Sequence, residues 1–567
     1  MLTDLQSPES PPLTATYDLA IIGAGISSAY TLMHYISLLE QQSLLSKAAG
    51  KEHRPVKIVV TERSSEFWTG IPYGGRSGSN ALLISPLHEF IPQQLERGQF
   101  INWLNENRDW VFDPQKYSDG ELASKWRQAN DTAMSEGNWD NLFISRNTFG
   151  IYLKQQVANC IQQATATGLI EIDLLVAEVN DVRRIGTRYQ VDVTRPCGTD
   201  NTSFLTEKMV LAIGSPPNIT FEHDPSNEIC YIDDMYEPSL DANIDKISQS
   251  LAESDRPSHR QVTIVGSNAS TLDTLYALNN SPAAVSLIEK FIIISPNAAF
   301  PHRINCDVVG GTYCPEHLTA LVKTESLTAK QILIAVEQDV AAATAEKINI
   351  SDIYSDISKL VIQALNQLNF DEQKQFVSKY AVEIGKLQRR AGAEYLNVVD
   401  ELISQGKLEF LKGKFVKCLS LPAGGSGCEY IDGETREQKV LDAPVGVVIN
   451  CAGFQDVTRS SSVLIQNLIR RKICVPNDSK RGFRIDKNFE MSKNCYLMGP
   501  LVAGNMDGNF KVWHAESCQR IINLSKHLAE VLLSPTQLEG SVPPAQPDLS
   551  MVMLSNPKTT TGLMVNA

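Results

Sequence analysis

Residues Tyr17 to Ser28, which read Y-D-L-A-I-I-G-A-G-I-S-S, decide the fold of this chain. They form an apolar strand that runs directly into a glycine turn and then into a helix. Gly23 permits the tight turn, Gly25 lets a ligand approach the backbone, and the helix that opens at Ile26 directs free N–H groups at an anion. This order predicts a site for the pyrophosphate of a dinucleotide. The residues predicted at this turn are Gly23, Ala24, Gly25, Ser27 and Ser28.

The second half of the same unit is the segment Val56 to Glu62, V-K-I-V-V-T-E, a buried parallel strand that ends in an acid. Glu62 is predicted to bind a ribose hydroxyl, although the usual interval from the glycines to this acid is about 20 residues. The interval is longer here because the polar stretch 41–55 extends the connection between helix and strand. Strand, glycines, helix, strand and acid in this order indicate a nucleotide-binding unit.

A second strand, turn and helix follow at Gln261 to Leu278, Q-V-T-I-V-G-S-N-A-S-T-L-D-T-L-Y-A-L. Gly266 keeps the first glycine of the motif, whereas Asn268 stands at the second position and Thr271 at the third. The next strand ends at Ser295 and offers neither an acid for a ribose nor an arginine for a 2′-phosphate. The sequence therefore predicts a second nucleotide unit around Gly266 and Asn268, with NADH, NADPH and a purely structural role all open.

Composition and charge limit the function classes. The chain has 567 residues, 43% of them hydrophobic, which is enough for several domains. A formal charge of −14 without a basic cluster argues against nucleic-acid binding. No apolar run reaches the roughly 18 residues of a membrane helix, and the N-terminus does not resemble a signal peptide, so we expect a cytoplasmic protein. The 11 cysteines contain no C-x-x-C pair and predict neither a zinc site nor an adjacent dithiol.

The rest of the chain divides by pattern. Residues 316–405 have helical periodicity and include a predicted capping box at Thr328 and Gln331, which indicates a helical insertion on the second nucleotide domain. The tails 1–16 and 536–567 are predicted to be flexible. Two further strands end in glycine, at Gly214 and at Gly453. Each glycine either places a backbone amide beside a cofactor or only supplies a backbone conformation.

Several further segments carry a family resemblance. They are W-T-G-I-P-Y-G at 68–74, F-I-N-W-L at 100–104, R-N-T-F-G-I-Y-L at 146–153, N-C-A-G at 450–453 and M-G-P-L at 498–501. With the first glycine motif, they make the chain resemble the flavoproteins that have two dinucleotide-binding domains, and in particular the uncharacterised bacterial FAD–NAD(P)-binding proteins.

The resemblance implies an α/β fold with two Rossmann-like domains. A discontinuous FAD domain, 17–217 and 443–535, would surround an NAD(P)-binding-like domain, 258–442, that includes the helical insertion. The backbone near Val179 would hold the adenine, while Gly499 and the helix after Trp513 would face the isoalloxazine ring. Gly214 and Gly453 would lie at strand ends near the cofactor. The implied cofactors are FAD and either NADH or NADPH.

The implied activity is that of an FAD-dependent oxidoreductase, reduced by NADH or NADPH, that passes electrons to oxygen or to a small organic substrate, as a monooxygenase does. Two alternatives stay open: a flavin oxidase or dehydrogenase with a vestigial nicotinamide domain, and a non-catalytic FAD-binding redox sensor. No catalytic side chain is assigned, and the oligomeric state is open. The residues to check are three histidines, as proton carriers or structural residues, and three aromatic residues, as flavin contacts or ordinary packing. They are His88, His302, His514, Trp68, Tyr73 and Trp513.

Overall fold

The computed structural model describes most of the chain between residues 15 and 534. The described ranges are 15–48, 54–113, 120–196, 201–223, 229–254, 259–304, 313–421, 425–441, 444–507, 510–513 and 518–534. The predicted tails 1–16 and 536–567 lie outside these residues, apart from Ala15 and Thr16.

Strands alternate with helices along the chain, and several connections are long. In chain order the strands are β1 (Thr16–Ile22), β2 (Val56–Glu62), β3 (Ile170–Val176), β4 (Glu178–Ile185), β5 (Arg188–Thr194), β6 (Asn201–Leu211), β7 (Cys230–Ile232), β8 (Gln261–Val265), β9 (Lys290–Ser295), β10 (His302–Arg303), β11 (Arg390–Ala391), β12 (Leu408–Ser420), β13 (Ser426–Asp432), β14 (Gln438–Val440), β15 (Val447–Asn450), β16 (Glu490–Ser492), β17 (Cys495–Leu497), β18 (Asn505–Asp507) and β19 (Phe510–Val512).

The helices are α1 (Ile26–Ala48), α2 (Gly70–Tyr73), α3 (Leu87–Phe90), α4 (Gln94–Val111), α5 (Glu121–Ser135), α6 (Arg146–Ala166), α7 (Leu240–Ala252), α8 (Ala269–Asn280), α9 (Pro282–Val285), α10 (Glu316–Leu321), α11 (Ala329–Ala345), α12 (Ile350–Gln367), α13 (Phe370–Gln375), α14 (Ala381–Leu387), α15 (Ala393–Ser404), α16 (Val463–Arg470) and α17 (Cys518–Leu533). A π-helical turn, Phe376–Tyr380, joins α13 to α14. The predicted capping box of Thr328 and Gln331 is present at the start of α11.

The first sheet has the order β16-β17-β6-β1-β2-β3. Strands β17, β6, β1, β2 and β3 run parallel, and β4 and β5 form an antiparallel meander that joins the sheet at β6. The central strand β1 is apolar because it is covered on both faces, and Ala20 and Ile21 have no exposed surface.

The second sheet has the order β14-β13-β12-β9-β8-β15-β7. Strands β12, β9, β8, β15 and β7 run parallel, with the meander β12-β13-β14 at one edge. The two parallel cores have the same arrangement, with β1 and β8 each followed by two strands on one side. The α/β fold with two Rossmann-like units is therefore confirmed.

The boundary between the units differs from the predicted one at residues 442 and 443. Strand β15 pairs in parallel with β8 and β7, so Val447–Asn450 belongs to the second sheet and not to the FAD domain. Strand β7, Cys230–Ile232, belongs to the second sheet too, although it precedes the predicted start at residue 258. Apolar strands of both units look alike in sequence, and only their pairing assigns them to a sheet.

Both units carry an insertion at the same point of their topology. The connection from β2 to β3 holds α2 to α5 before the crossover helix α6. The connection from β9 to β12 holds α10 to α14 before the crossover helix α15. The predicted insertion 316–405 therefore ends too late, because α15 packs on α8 through the ring contact of Tyr276 with Tyr395.

Helices α10 to α14 form a hydrophobic core of their own, which includes Ile357, Leu365 and Phe376. The indole of Trp513, from the C-terminal part of the chain, belongs to this core and meets the Phe376 ring edge to face at 6.1 Å between centroids. The insertion was predicted to rest on the second nucleotide unit. The structure shows that it also contacts the segment that follows β17.

Candidate functional site

The first glycine turn closes against the neighbouring strands of its sheet. The Gly23 amide donates to the carbonyl oxygen of Thr61 at 2.9 Å. A side chain on Gly23 would place its Cβ 2.5 Å from the carbonyl oxygen of Ala212, and the φ of Gly23 is +92°. Only glycine fits here, because the backbone is left-handed and the space is closed.

Glu62 lies at the end of β2 beside this turn. One carboxylate oxygen accepts a hydrogen bond from the Ala24 amide at 2.9 Å, and the other accepts one from Ser64 at 3.2 Å. The Ala177 amide donates to the Glu62 carbonyl oxygen at 2.8 Å. Val179, two residues further along the chain, therefore lies near the carboxyl ends of β2 and β3, where Glu62 is. The structure thus brings together the predicted pyrophosphate turn, ribose acid and adenine segment.

Small residues face the turn from two other segments. A Cβ added to Gly70 would lie 3.3 Å from the Gly25 Cα, and one added to Gly499 would lie 3.3 Å from the Ser27 hydroxyl. The Trp68 amide donates to the Ala24 carbonyl at 2.5 Å, and its φ of +77° is unusual for a bulky residue. The W-T-G-I-P-Y-G and M-G-P-L segments therefore meet at the turn.

The residues at this turn fit a dinucleotide. A Cβ on Gly25 would meet nothing closer than 3.7 Å, and a Cβ on Gly214, after β6, would meet nothing within 4 Å. The turn is closed on the Ala212 side, a Cβ at Gly25 would be in ordinary van der Waals contact with the Gly70 backbone, and the space at Gly214 is open. The missing side chain at Gly25 lets an anion approach the backbone N–H groups at the start of α1.

The second glycine turn repeats the geometry of the first. The Gly266 amide donates to the Ile294 carbonyl oxygen at 2.8 Å, and an added Cβ would lie 2.3 Å from the Cys451 carbonyl oxygen. The third motif position also matches: the Ser28 hydroxyl donates to Gly23 at 2.5 Å, and the Thr271 hydroxyl donates to Gly266 at 2.9 Å. In each unit a hydroxyl replaces the third glycine and ties helix to strand.

The second turn differs in the groups that a nucleotide would meet. Ser295 takes the place of Glu62, and its hydroxyl bonds the Ser267 hydroxyl at 2.8 Å. Asn268 takes the place of Gly25, and its side-chain oxygen accepts a hydrogen bond from the guanidinium of Arg389. Arg389 lies between α14 and β11, far along the chain, and no feature near Gly266 could have revealed it.

Gly453 follows β15 and lies beyond the carboxyl end of this strand, which is an inner strand of the second sheet. Its carbonyl oxygen accepts a hydrogen bond from the Ile219 amide at 2.9 Å. It is the counterpart of Gly214 in the first unit, since each follows the strand whose carbonyl closes the glycine turn. Gly453 was predicted in the FAD domain, but it belongs to the second unit because β15 pairs with β8. Its role in cofactor binding stays a prediction.

Two of the three predicted histidines can be placed. His88 contacts the Asp140 carbonyl oxygen through both Nδ1 and its backbone N–H, each at 2.9 Å. The backbone N–H of His302 donates to the Arg389 carbonyl at 2.7 Å, and burial lowers the pKa of its imidazole. His514 lies outside the described residues. His88 therefore has a structural contact, and His302 lies beside the second turn.

The predicted aromatic residues divide between the turn and hydrophobic packing. Trp68 is at the first turn, as described above. The Tyr73 ring packs edge to face on Phe149 at 5.3 Å, and the Tyr73 carbonyl is the group that a side chain at Gly150 would strike, at 1.9 Å. Tyr73 is thus part of the contact between α2 and α6, and Trp513 is part of the insertion core.

A buried polar cluster, made of Arg146, Asp273, Tyr236 and the Leu82 carbonyl, joins the two units. Arg146 contacts Asp273 at 2.9 Å and donates to the Leu82 carbonyl at 2.8 Å, while the Tyr236 hydroxyl donates to Asp273 at 2.7 Å. Burial raises the pKa of Tyr236. The sequence showed Arg146 in a family segment and Asp273 in a helix, but nothing in either segment indicated the pairing.

The cysteines that follow β15 and begin β17 are buried thiols. Burial raises the pKa of Cys451 to about 12, and the same cause raises that of Cys495 to about 12. No group of three His, Cys, Asp or Glu side chains is placed to hold a metal ion among the described residues. Within those residues, too, every helix is too short or too polar to cross a membrane.

Known proteins are similar to this chain in sequence or in fold. Residues 20–216 match the FAD-NAD(P)-binding family. Uncharacterised proteins of Mycobacterium tuberculosis and Mycobacterium bovis are 30% identical over 529 residues, which cover 93% of this chain and 97% of each relative. The reduced form of an ornithine hydroxylase from Pseudomonas aeruginosa has a similar fold, with a TM-score of 0.51 and 12% identity over 91% of this chain and 99% of that one.

Proposed function

The chain belongs to the FAD–NAD(P)-binding family, and from this membership we propose that it is an FAD-dependent oxidoreductase that NADH or NADPH reduces. The electrons would pass to oxygen or to a small organic substrate, as in a monooxygenase. The observation that carries the proposal is the first turn, where Gly23, Gly25 and Glu62 meet at the start of α1. A cytoplasmic location and a small-molecule substrate are parts of the same proposal.

The residues of the first unit would hold FAD. The backbone at Gly25 would receive the pyrophosphate, with the N-terminus of α1 opposite its charge. Glu62 would bind the ribose, and the backbone near Val179 the adenine. Gly499 lies against Ser27, so the segment after β17 would approach the flavin end of the cofactor.

The remaining residues would position the reactants. When bound, FAD would supply the redox chemistry that joins the nicotinamide to the final acceptor. Trp68 is buried, and its backbone N–H, which donates to the Ala24 carbonyl, ties its segment to the turn. The Arg146–Asp273 contact fixes the two units relative to each other, which favours a constant distance between the two nucleotides.

The absence of an acid at Ser295 and of a glycine at Asn268 favours a second candidate: a flavin oxidase or dehydrogenase reduced by its own substrate. Spectroscopy separates the two candidates. We expect purified protein to show the absorbance of oxidised flavin and to be bleached by NADH or NADPH without air. Bleaching by neither nicotinamide would favour the second candidate, and a protein that retains no FAD even when FAD is added would contradict both.

A charged substitution tests the position of the cofactor. Gly25→Glu should abolish FAD retention and leave the protein folded, because its Cβ has space but its carboxylate would repel the pyrophosphate. Gly98→Glu is the matched control, since a Cβ at Gly98 in α4 meets nothing within 4 Å and lies away from the turn. Flavin content by absorbance and folding by circular dichroism are the two measurements. A yellow Gly25→Glu protein would show that the turn does not bind the pyrophosphate.

A further inference from the structure

The second turn has a guanidinium beside the position that a bare glycine occupies in the first turn. The guanidinium of Arg389 donates to the side-chain oxygen of Asn268, the residue at the second position of the glycine motif. In a dinucleotide-binding turn this position faces the pyrophosphate, and a glycine there lets the phosphates reach the backbone. Asn268 blocks part of that approach with its side chain, so the turn needs another group to bind the phosphates.

The Asn268 side chain does not serve the helix that it precedes. Asn268 is the N-cap residue of α8, yet its side chain makes no capping hydrogen bond. An asparagine at this position ordinarily accepts a hydrogen bond from the first turn of the helix. Here its oxygen accepts from Arg389, so the guanidinium lies at the N-terminus of α8, next to the backbone groups that an anion would approach.

The charge of Arg389 is not used elsewhere in the part of the chain that the structure describes. The acid whose charge acts on it is Glu383, which pairs with Lys386 at 2.8 Å. Arg389 is exposed, and its guanidinium contacts a neutral amide oxygen. It is therefore accessible to an anionic ligand, to which it would donate charge-assisted hydrogen bonds.

Neighbouring contacts hold the backbone of Arg389 in place. The His302 amide donates to the Arg389 carbonyl at 2.7 Å, which fixes the pairing of β10 with β11. The next residue, Arg390, binds Glu89 in α3 through two hydrogen bonds of 2.8 and 3.1 Å and lies over the Tyr354 ring at 3.9 Å. The backbone of Arg389 is therefore fixed before any ligand binds, which lowers the entropic cost of binding.

We propose that Arg389, supplied by the end of the helical insertion, binds the pyrophosphate of the nicotinamide nucleotide at the second turn. The inference rests on the proposed function, because it requires that this unit binds NADH or NADPH. Arg389 compensates for Asn268 with a side-chain cation, and the N-terminus of α8 adds backbone N–H groups on the other side. Both nicotinamides carry this pyrophosphate, so Arg389 acts on both alike.

Binding of the oxidised nucleotides to FAD-loaded protein tests this role without any turnover. Arg389→Met should weaken the binding of NAD+ and of NADP+, measured by calorimetry, by about 10- to 100-fold each, since a hydrogen bond to a charged group is lost. Arg389→Lys should retain part of the affinity. Lys379→Gln, at an exposed lysine of the π-helical turn, is the matched control for loss of one positive charge on the insertion and should change neither affinity by more than about 2-fold.

Three results would overturn the assignment. Unchanged affinity of Arg389→Met for both nucleotides would show that Arg389 is no ligand, although wild-type binding would leave the proposed function intact. A loss confined to NADP+ would place the guanidinium at the 2′-phosphate instead of the pyrophosphate. Wild-type protein that binds neither nucleotide would contradict both this inference and the use of a nicotinamide. Flavin absorbance, equal in all variants, shows that the first unit is intact.

Discussion

The two nucleotide units have the same turn but different groups around it. In both, the first glycine lies against a carbonyl of the next parallel strand, and a hydroxyl at the third position bonds back to that glycine. The first turn has the carboxylate of Glu62 and a glycine at position 25. The second turn has Ser295 and Asn268 at these two positions, and the guanidinium of Arg389 from the end of the insertion. Positions that pack strand on helix are constrained, and positions that face the ligand are free to change.

The insertions of the two units also have the same place in the topology but different contacts. Each occupies the connection before the crossover helix, yet the first one joins the main hydrophobic core, with Gly70 near Gly25, and contacts the second unit where the Ala123 amide donates to the Asn280 side chain. The second forms its own core, takes in Trp513 and returns Arg389 to the second turn. A long insertion is tolerated at this point because its ends, β10 and β11, lie side by side.

The largest effect is expected at the two first glycines. Gly23→Ala and Gly266→Ala should each destabilise the fold by up to about 6 kcal/mol, from left-handed strain together with overpacking against a backbone carbonyl. Where the protein can be recovered, Gly23→Ala should lose FAD, and Gly266→Ala should keep FAD but not bind NAD+. Urea unfolding and flavin absorbance measure the two effects. Equal flavin loss in both variants would mean that the units do not bind separate cofactors.

The next effect concerns the contact between the units. Asp273 occupies on α8 the place that Tyr30 occupies on α1, and it contacts Arg146 of α6 at 2.9 Å. Arg146→Met should cost about 3–5 kcal/mol of unfolding free energy, because it leaves a buried carboxylate without its charge partner. Lys290→Met, which breaks the exposed pair with Glu409, should cost less than about 1 kcal/mol and serves as the control. Similar costs for both variants would show that the cluster is not buried in solution.

A smaller and equal effect is expected from the two hydroxyls at the third motif position. Ser28→Ala and Thr271→Val should each lower the unfolding free energy by about 1 kcal/mol, since each removes one hydrogen bond to the first glycine. Chemical unfolding of the two variants measures this cost. A loss in only one of them would show that the two turns are not built alike.

The smallest effect is a dependence of stability on pH. Burial lowers the pKa of His34 in α1 and of His302 at β10 from the ordinary value of 6.5. Below pH 6.5 the unfolded chain binds more protons than the folded one, so stability is full above this pH and falls as the pH drops toward the lowered values. His302→Gln should reduce the loss of unfolding free energy at acidic pH by less than about 1 kcal/mol, because water screens the half-exposed imidazole. Urea unfolding at pH 5.5 and 7.5 measures this loss for His302→Gln and for His34→Gln, and we expect the larger reduction for His34→Gln.

Local sequence predicted the elements of the fold better than their partners. The glycine turns, their strands and the capping box at Thr328 follow from contacts between residues close in the chain. The assignment of β15 did not, because an apolar strand with a glycine after it fits either sheet. The crossover helix α15 was counted in the insertion for the same reason: its periodicity is that of the insertion helices, and only its packing on α8 distinguishes it.

Sequence alone determined that two Rossmann-like units exist and that the first has the residues for a dinucleotide, since Gly23, Gly25 and Glu62 lie in one strand–turn–helix–strand segment. Tertiary structure decided which distant groups complete each turn. Gly499 reaches the first turn, Arg389 reaches the second, and Arg146 meets Asp273 between them. The physical reason is that backbone conformation is set by neighbours in the chain, whereas charge pairing and close packing depend on which segments the sheets bring together.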